Sequence, residues 1–296
     1  MPKKIAVFGL GSMGFGVAKS LLAAGHQVWG YDLSDEAVLK LAASGGKKAQ
    51  FQDIAANLDA VIIVVLNADQ ASNLITNEPG ISLLLSPKSV VINCTTVSPE
   101  NAREMAVKCE TNQIAYLDAP ISGGSAKANL GELSVMASGQ PDAFALAKEP
   151  LSAMAEKVFT IGDEVGLGSA MKAVNQMLAG VHIAAMAEAI TFAIAQGINL
   201  RQCIDVISQS AGSSWMFKNR APHIISSDYT PKSATNIWPK DLGIVMDMAN
   251  EKNFSAPLTT AALDQFNSAV SFGHGCEDDA AVAKVYAKNN KIVLPT

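Results

Sequence analysis

Three stretches of this chain carry residue types and spacings suited to chemistry: Gly9-Leu10-Gly11-Ser12-Met13-Gly14 followed by Asp32, Ser122-Gly123-Gly124, and Lys172 with Asn175 and Gln176. The first has the GxGxxG spacing of an anion-binding turn. Its first glycine permits a tight turn, its second lets the backbone approach a pyrophosphate, and its third allows close helix-to-strand packing. The free N–H groups at the helix start then face the anion. A carboxylate at the end of the following strand, here Asp32, accepts hydrogen bonds from both hydroxyls of an adenosine ribose. A 2′-phosphate there would meet like charge, with no arginine at Leu33 or Ser34 to offset it, so the expected cofactor is NAD rather than NADP.

The Ser122-Gly123-Gly124 turn presents a hydroxyl and successive backbone N–H groups, a nest suited to a carboxylate. The same composition also serves a turn that needs only glycine's backbone freedom. Lys172 lies near the start of a long helical pattern, with Asn175 and Gln176 at i+3 and i+4 on the same face. Isolated lysines near helix starts are usually solvated surface groups. This one is flanked by Ala170, Met171, Ala173 and Val174 and sits where the helix dipole disfavours its charge, and both effects favour proton exchange with an alcohol near neutral pH.

These residues need a scaffold. Up to about Gly162, apolar β-branched runs alternate with helical patterns, the signature of a parallel sheet with crossover helices. Strands are expected at Ile5–Phe8, Val28–Tyr31, Leu58–Leu66, Lys88–Cys94, Ala115–Ala119 and Leu133–Ser138, and helices at Asp35–Ala43, Asp69–Thr76, Ser98–Cys109 and Pro141–Ala155. Beyond Gly162 strand signals vanish. A helix running to about Gln196 is the expected spine of a second half, with further helices at 201–210, 238–250, 257–272 and 277–288. Ser213–Ile237, which contains two prolines, Pro222 and Pro231, is expected to be a long irregular connection. The reading is α/β: a Rossmann-type parallel-sheet domain over 1–163, then an all-α domain over 164–296, joined by a long interdomain helix. In such sheets ligands sit beyond the carboxyl ends of the strands, which draws attention to Leu66-Asn67, Asn93-Cys94-Thr95-Thr96 and Asp118-Ala119-Pro120-Ile121-Ser122-Gly123-Gly124.

With 296 residues, 49% hydrophobic and only 17% charged, much of the surface is expected to be buried between subunits of a homodimer or homotetramer. The net charge of −5 provides no field for nucleic acid or an anionic membrane, and neither is an expected partner. Cys94, Cys109, Cys203 and Cys276 lack any metal-ligand or disulfide spacing, so no metal is expected and a reducing cytoplasm fits. The first strand is expected within a few residues of Met1, so no targeting peptide is expected. The most apolar segment, 173–198, contains Asn175, Gln176, His182, Glu188 and Gln196, too many polar residues for a membrane span.

Taken in order, GLGSMG (9–14), DAPISGG (118–124), GLGSAMKAVN (166–175) and KDL (240–242) resemble the motifs of the β-hydroxyacid dehydrogenase family, over essentially the full length. That family includes 3-hydroxyisobutyrate, tartronate semialdehyde and 6-phosphogluconate dehydrogenases. The resemblance implies that Lys172 is the catalytic acid/base and that Ser122, Gly123, Gly124 and Asn175 hold a small hydroxy acid. Thr96 and Lys240 then approach the nicotinamide, and further cofactor contacts are expected at Gly9, Leu10, Gly11, Met13, Gly14, Asp32, Leu66 and Asn67. Departures from the common pattern occur at Asn93-Cys94-Thr95-Thr96, Gln176 and Lys127-Ala128. Segments 125–133, 135–139, 175–189 and 214–234 are similar instead to the branch that oxidises the 2-hydroxyl of the four-carbon sugar acid L-threonate. His182 and Lys127 are possible extra polar contacts, against simpler readings as a core histidine and a surface charge. Trp215, Met216, Phe217 and Trp238 are either a cover over the site or ordinary core. The competing functional readings are a 3-hydroxyisobutyrate, tartronate or succinic semialdehyde type of dehydrogenase or reductase, and a nucleotide-binding protein without catalysis.

Overall fold

The structure is a computed structural model describing residues 1–77 and 80–296. The chain divides into two units, Met1–Lys172 and Ala173–Thr296, and the helix Leu167–Ala195 runs across the division.

Among the described residues, the first unit is built on eight strands: β1 (Lys4–Phe8), β2 (Gln27–Tyr31), β3 (Ala60–Ile63), β4 (Val90–Asn93), β5 (Ala115–Asp118), β6 (Ile121–Ser122), β7 (Leu133–Ser138) and β8 (Ala155–Gly162). They lie in the order β2-β1-β3-β4-β5-β7-β6, with β8 on β7. β1 to β5 are parallel, as the alternating pattern requires, whereas β7 is antiparallel to β5 and β6. Successive residues of one strand enter different cores. Ile5, Val7, Ile62, Ile92 and Leu117 belong to one apolar cluster, and Ala6, Val61, Ile63, Val91 and Tyr116 to the other. This two-sided burial is why the central strands read as continuous apolar runs rather than alternating ones. Each fully buried Ile or Leu stabilises the fold by roughly 1.5–3 kcal/mol.

Several expectations change. β3 ends at Ile63, not Leu66, because the backbone leaves the ladder there: the Val65 N–H donates to Thr95 Oγ1 at 3.3 Å and Leu66 turns outward. β8 has no counterpart in the sequence reading, since the helix Pro141–Met154 passes into it with no glycine or proline between them. Gly124–Leu130 is a helix not among those expected.

In the second unit, Ser213–Ile237 is not an irregular connection: Trp215–Ser226 is a helix, capped by Ser214 Oγ accepting the Phe217 N–H. Pro222 lies inside it, removing one helical donor, and burial of Phe217, Ala221 and Ile224 outweighs that loss. The core of this unit joins Ile183, Met186 and Ile190 of the long helix to Phe217, Trp238 and Phe266. Trp238 stacks on Phe266 with ring centroids 5.4 Å apart and donates Nε1–H to Asp279 at 3.0 Å, so it is core and not a cover, as is Phe217. Arg220 pairs with Asp279 at 2.5 Å and His223 with Asp278 at 2.8 Å, a buried polar knot that fixes the segment around Thr235. The helix Leu167–Ala195 is long and apolar enough to cross a membrane by length and composition, yet half of its most apolar window is buried within the fold.

Candidate active site

The glycine turn follows β1 directly. Gly9 has φ +87°, and a Cβ on it would lie 2.2 Å from the Val64 carbonyl oxygen, so no other residue fits without moving the backbone just after β3. A Cβ on Gly14 would stand 1.9 Å from the Gly9 carbonyl oxygen, which is the close helix-to-turn packing anticipated for the third glycine. Around Gly11 the position of a Cβ is open, with nothing within 4 Å, as an approaching phosphate needs. The helix Ser12–Ala23 begins there without a side-chain cap. Its first N–H groups therefore face a place where an anion fits. A groove of about 570 Å³ borders the turn, lined in part by Leu10, Gly11, Ser12, Ser34 and Lys40.

Asp32 follows β2. Its Oδ2 accepts the Leu10 N–H at 2.6 Å and its Oδ1 the Ser34 N–H at 2.8 Å, so the carboxylate braces the glycine turn and keeps lone pairs for further donors. Met13 is half-buried in the first turn of the helix. Leu66 is exposed beyond β3, its N–H donating to Gln70 Oε1, while Asn67 Oδ1 caps the helix Ala68–Thr76 by accepting the Gln70 N–H at 2.9 Å. Thr96 is half-buried after β4. Beside it Asn93 is buried and donates to the Tyr116 hydroxyl at 2.9 Å, and burial pushes the Cys94 thiol well above its ordinary range, which makes that thiol inert.

The Ser-Gly-Gly turn leaves β6 with φ +135° at Gly123 and +75° at Gly124, backbone that L-residues rarely adopt. Ser122 is half-buried there. Lys127 is a partly exposed charge paired with Glu156 at 3.2 Å. Lys172 is buried, 7% exposed, in the second turn of the long helix.

Asp118, at the end of β5, is completely buried and has a function the sequence reading did not assign. Its carboxylate accepts the Gly166 N–H (3.1 Å), the Ser169 N–H (2.8 Å), the Ser169 hydroxyl (2.7 Å) and the Ser138 hydroxyl (3.3 Å). Burial raises its pKa, and the hydrogen bonds from Ser169, Gly166 and Ser138 oppose the rise.

The second unit holds Asn175, Gln176, Asp241 and Lys240. Asn175 Nδ2 donates to Gln176 Oε1 at 2.9 Å, Gln176 Nε2 donates to Asp241 Oδ2 at 2.5 Å, and Lys240 Nζ pairs with Asp241 Oδ1 at 2.6 Å. Asp241 is the terminal acceptor of this relay, which uses the amide nitrogen of Asn175 and not its carbonyl oxygen. Spacing along one helix revealed Asn175 with Gln176; nothing in sequence pointed to Asp241 beyond its place beside Lys240. His182 is half-buried rather than enclosed in the core, and Trp215 is exposed. No group of three or more potential metal ligands occurs among the described residues.

Residues 4–162 match the NAD binding domain of 6-phosphogluconate dehydrogenase, and residues 166–286 match the NAD-binding family of NADP-dependent 3-hydroxyisobutyrate dehydrogenase. The chain is 44% identical to an L-threonate dehydrogenase of Pectobacterium atrosepticum, covering 98% of this chain and 95% of that one. It is also 44% identical to an L-threonate dehydrogenase of Cupriavidus necator, covering 97% of both. A crystal structure described as 3-hydroxyisobutyrate dehydrogenase from Salmonella typhimurium superposes with a TM-score of 0.90 at 44% identity, covering 96% of this chain and 99% of that one.

Proposed function

The chain belongs to the β-hydroxyacid dehydrogenase family of NAD-dependent oxidoreductases, and from that membership we propose that it oxidises the 2-hydroxyl of L-threonate to 2-dehydro-L-erythronate, with Lys172 as general acid/base. The observation that carries the substrate assignment is the 44% identity to L-threonate dehydrogenases along nearly the whole chain. NAD, when bound, accepts the hydride from the carbinol carbon. Gly9, Leu10, Gly11, Met13 and Gly14 cradle its pyrophosphate and Asp32 its adenosine ribose, while Leu66, Asn67, Thr96 and Lys240 line its remaining length. Ser122, Gly123 and Gly124 hold the substrate carboxylate. Asn175, steadied through Gln176 and Asp241, orients the hydroxyl-bearing chain. With the hydride acceptor in place, Lys172 would take the hydroxyl proton as the alcohol becomes a carbonyl.

An NAD-reduction screen over L-threonate, D-threonate, 3-hydroxyisobutyrate and tartronate tests the assignment. L-Threonate is expected to give the highest kcat/KM, at least about a hundredfold above 3-hydroxyisobutyrate, because a site that hydrogen-bonds hydroxyls rejects an analogue lacking them. The name of the Salmonella crystal structure favours the opposite order, and 3-hydroxyisobutyrate as the best substrate would overturn the reading.

In this proposal residues 1–163 form the NAD-binding domain and 164–296 the substrate and oligomerisation domain of a cytoplasmic homodimer or homotetramer, without nucleic-acid or membrane partners. The support is a set of exposed apolar side chains in the second unit, Leu178, Phe192, Val206, Phe254 and Leu258, each more than half exposed. Light scattering at micromolar concentration is expected to give at least twice the 30.9 kDa chain mass, and a monomer would sink this part.

A further inference from the structure

We propose that Asp118 is the positioning residue for Lys172: its carboxylate fixes the first turn of the helix that presents the lysine. The inference rests on the reading of Lys172 as the acid/base.

The first turn of any α-helix has N–H groups with no partner inside the helix. Here those of Gly166 and Ser169 are taken by Asp118 Oδ2, and that of Gly168 by Ser138 Oγ at 2.9 Å, so acceptors at the ends of β5 and β7 cap the helix from outside its own sequence. The Ser169 hydroxyl adds a bond to Oδ1 at 2.7 Å. Glycines make the close approach possible: a Cβ on Gly168 would lie 2.4 Å from the Met136 carbonyl oxygen, and one on Gly166 2.9 Å from the Pro99 carbonyl oxygen. Lys172 follows Ser169 by three residues, about 4.5 Å along the axis. The helix between them is rigid, so a shift of the capped turn is passed on to the amine. A carboxylate suits this position because four donors converge on it, whereas an asparagine has one acceptor oxygen and would turn an NH2 group towards N–H donors. The same strand end leads through Ala119 and Pro120 to the Ser122-Gly123-Gly124 turn, so one side chain ties the DAPISGG segment to the GLGSAMK segment.

The test uses the full-length protein with NAD and L-threonate, and L-threonate deuterated at C2. Asp118→Asn is expected to lower kcat at least about tenfold, since displacement of a catalytic group by an ångström is costly, and to leave the KM for NAD within about twofold. It should also raise the primary isotope effect on kcat as the chemical step becomes limiting. Ser169→Ala, which loses one bond, should do the same to a smaller extent and carries the test where Asp118→Asn fails to fold. Ser169→Thr, which keeps the hydroxyl, should restore kcat. In a double-mutant cycle, adding Asp118→Asn or Ser169→Ala to Lys172→Ala should cause no further loss, because each acts through the lysine. Normal kcat and isotope effect in a folded single variant, with Lys172→Ala inactive, would overturn the positioning inference alone. Full additivity of the two losses would overturn it as well. Normal turnover by Lys172→Ala would show instead that the underlying acid/base reading had failed.

Discussion

Lys172→Ala is expected to lower kcat by at least about a hundredfold while leaving the KM for NAD nearly unchanged, the pattern of a group that acts on the reacting atoms and not on the nucleotide. The side chain is buried on a helix whose first turn is held by Asp118 and Ser138, whereas the glycine turn and Asp32 belong to other elements at the β1 and β2 ends. Lys172→Arg should not rescue the activity, because a guanidinium stays protonated and cannot accept the alcohol proton. In the wild type, oxidation should accelerate with rising pH, since only the free amine is a base; the reverse reduction should accelerate with falling pH, since it needs the ammonium as acid. Steady-state kinetics in both directions checks each point. Near-normal kcat in Lys172→Ala would move the search to Lys240, the other lysine expected at the nicotinamide end.

Asp32→Ala is expected to raise the KM for NAD by roughly ten- to a hundredfold, as loss of one or two charge-assisted hydrogen bonds implies. Two effects combine. The ribose loses its acceptor, and the Leu10 N–H, held at 2.6 Å by Asp32, is released, loosening the turn that cradles the pyrophosphate. kcat at saturating NAD should change little. Combining Asp32→Ala with Leu33→Arg, at a fully exposed position, should begin to admit NADP by replacing a repulsive charge with an attractive one. The profile matched by the second half of the chain is named for NADP-dependent enzymes, so the wild-type preference is a direct test: a side-by-side assay favouring NADP would sink the role given to Asp32.

Much of the first unit was legible because two local rules coincide there. β-Branched runs between glycine, proline and capping residues located β1, β2, β4, β5 and β7 to within a residue or two, and the helix Asp35–Ala43 to the residue. The reading failed where local signals were absent or misleading. β8 follows a helix with no breaker between them, and its place is decided by pairing with β7. Pro222 reads as a breaker, yet the helix Trp215–Ser226 continues through it because its apolar face is buried.

For the candidate site, the sequence by itself determined the chemistry available: a glycine turn with an acid after the second strand, a glycine nest, and a lysine with two amides on one helix face. These depend on spacings of a few residues, which the chain encodes locally. Only the tertiary structure decided which polar groups hold them in place. Asp118 meets Ser169 across 51 positions of sequence and Gln176 meets Asp241 across 65. Asp32 reaches back 22 positions to the Leu10 N–H. Such pairings leave no periodicity to read, because they arise where separate strand ends and helix starts converge, and a buried polar group takes whichever donors the packed backbone brings within reach.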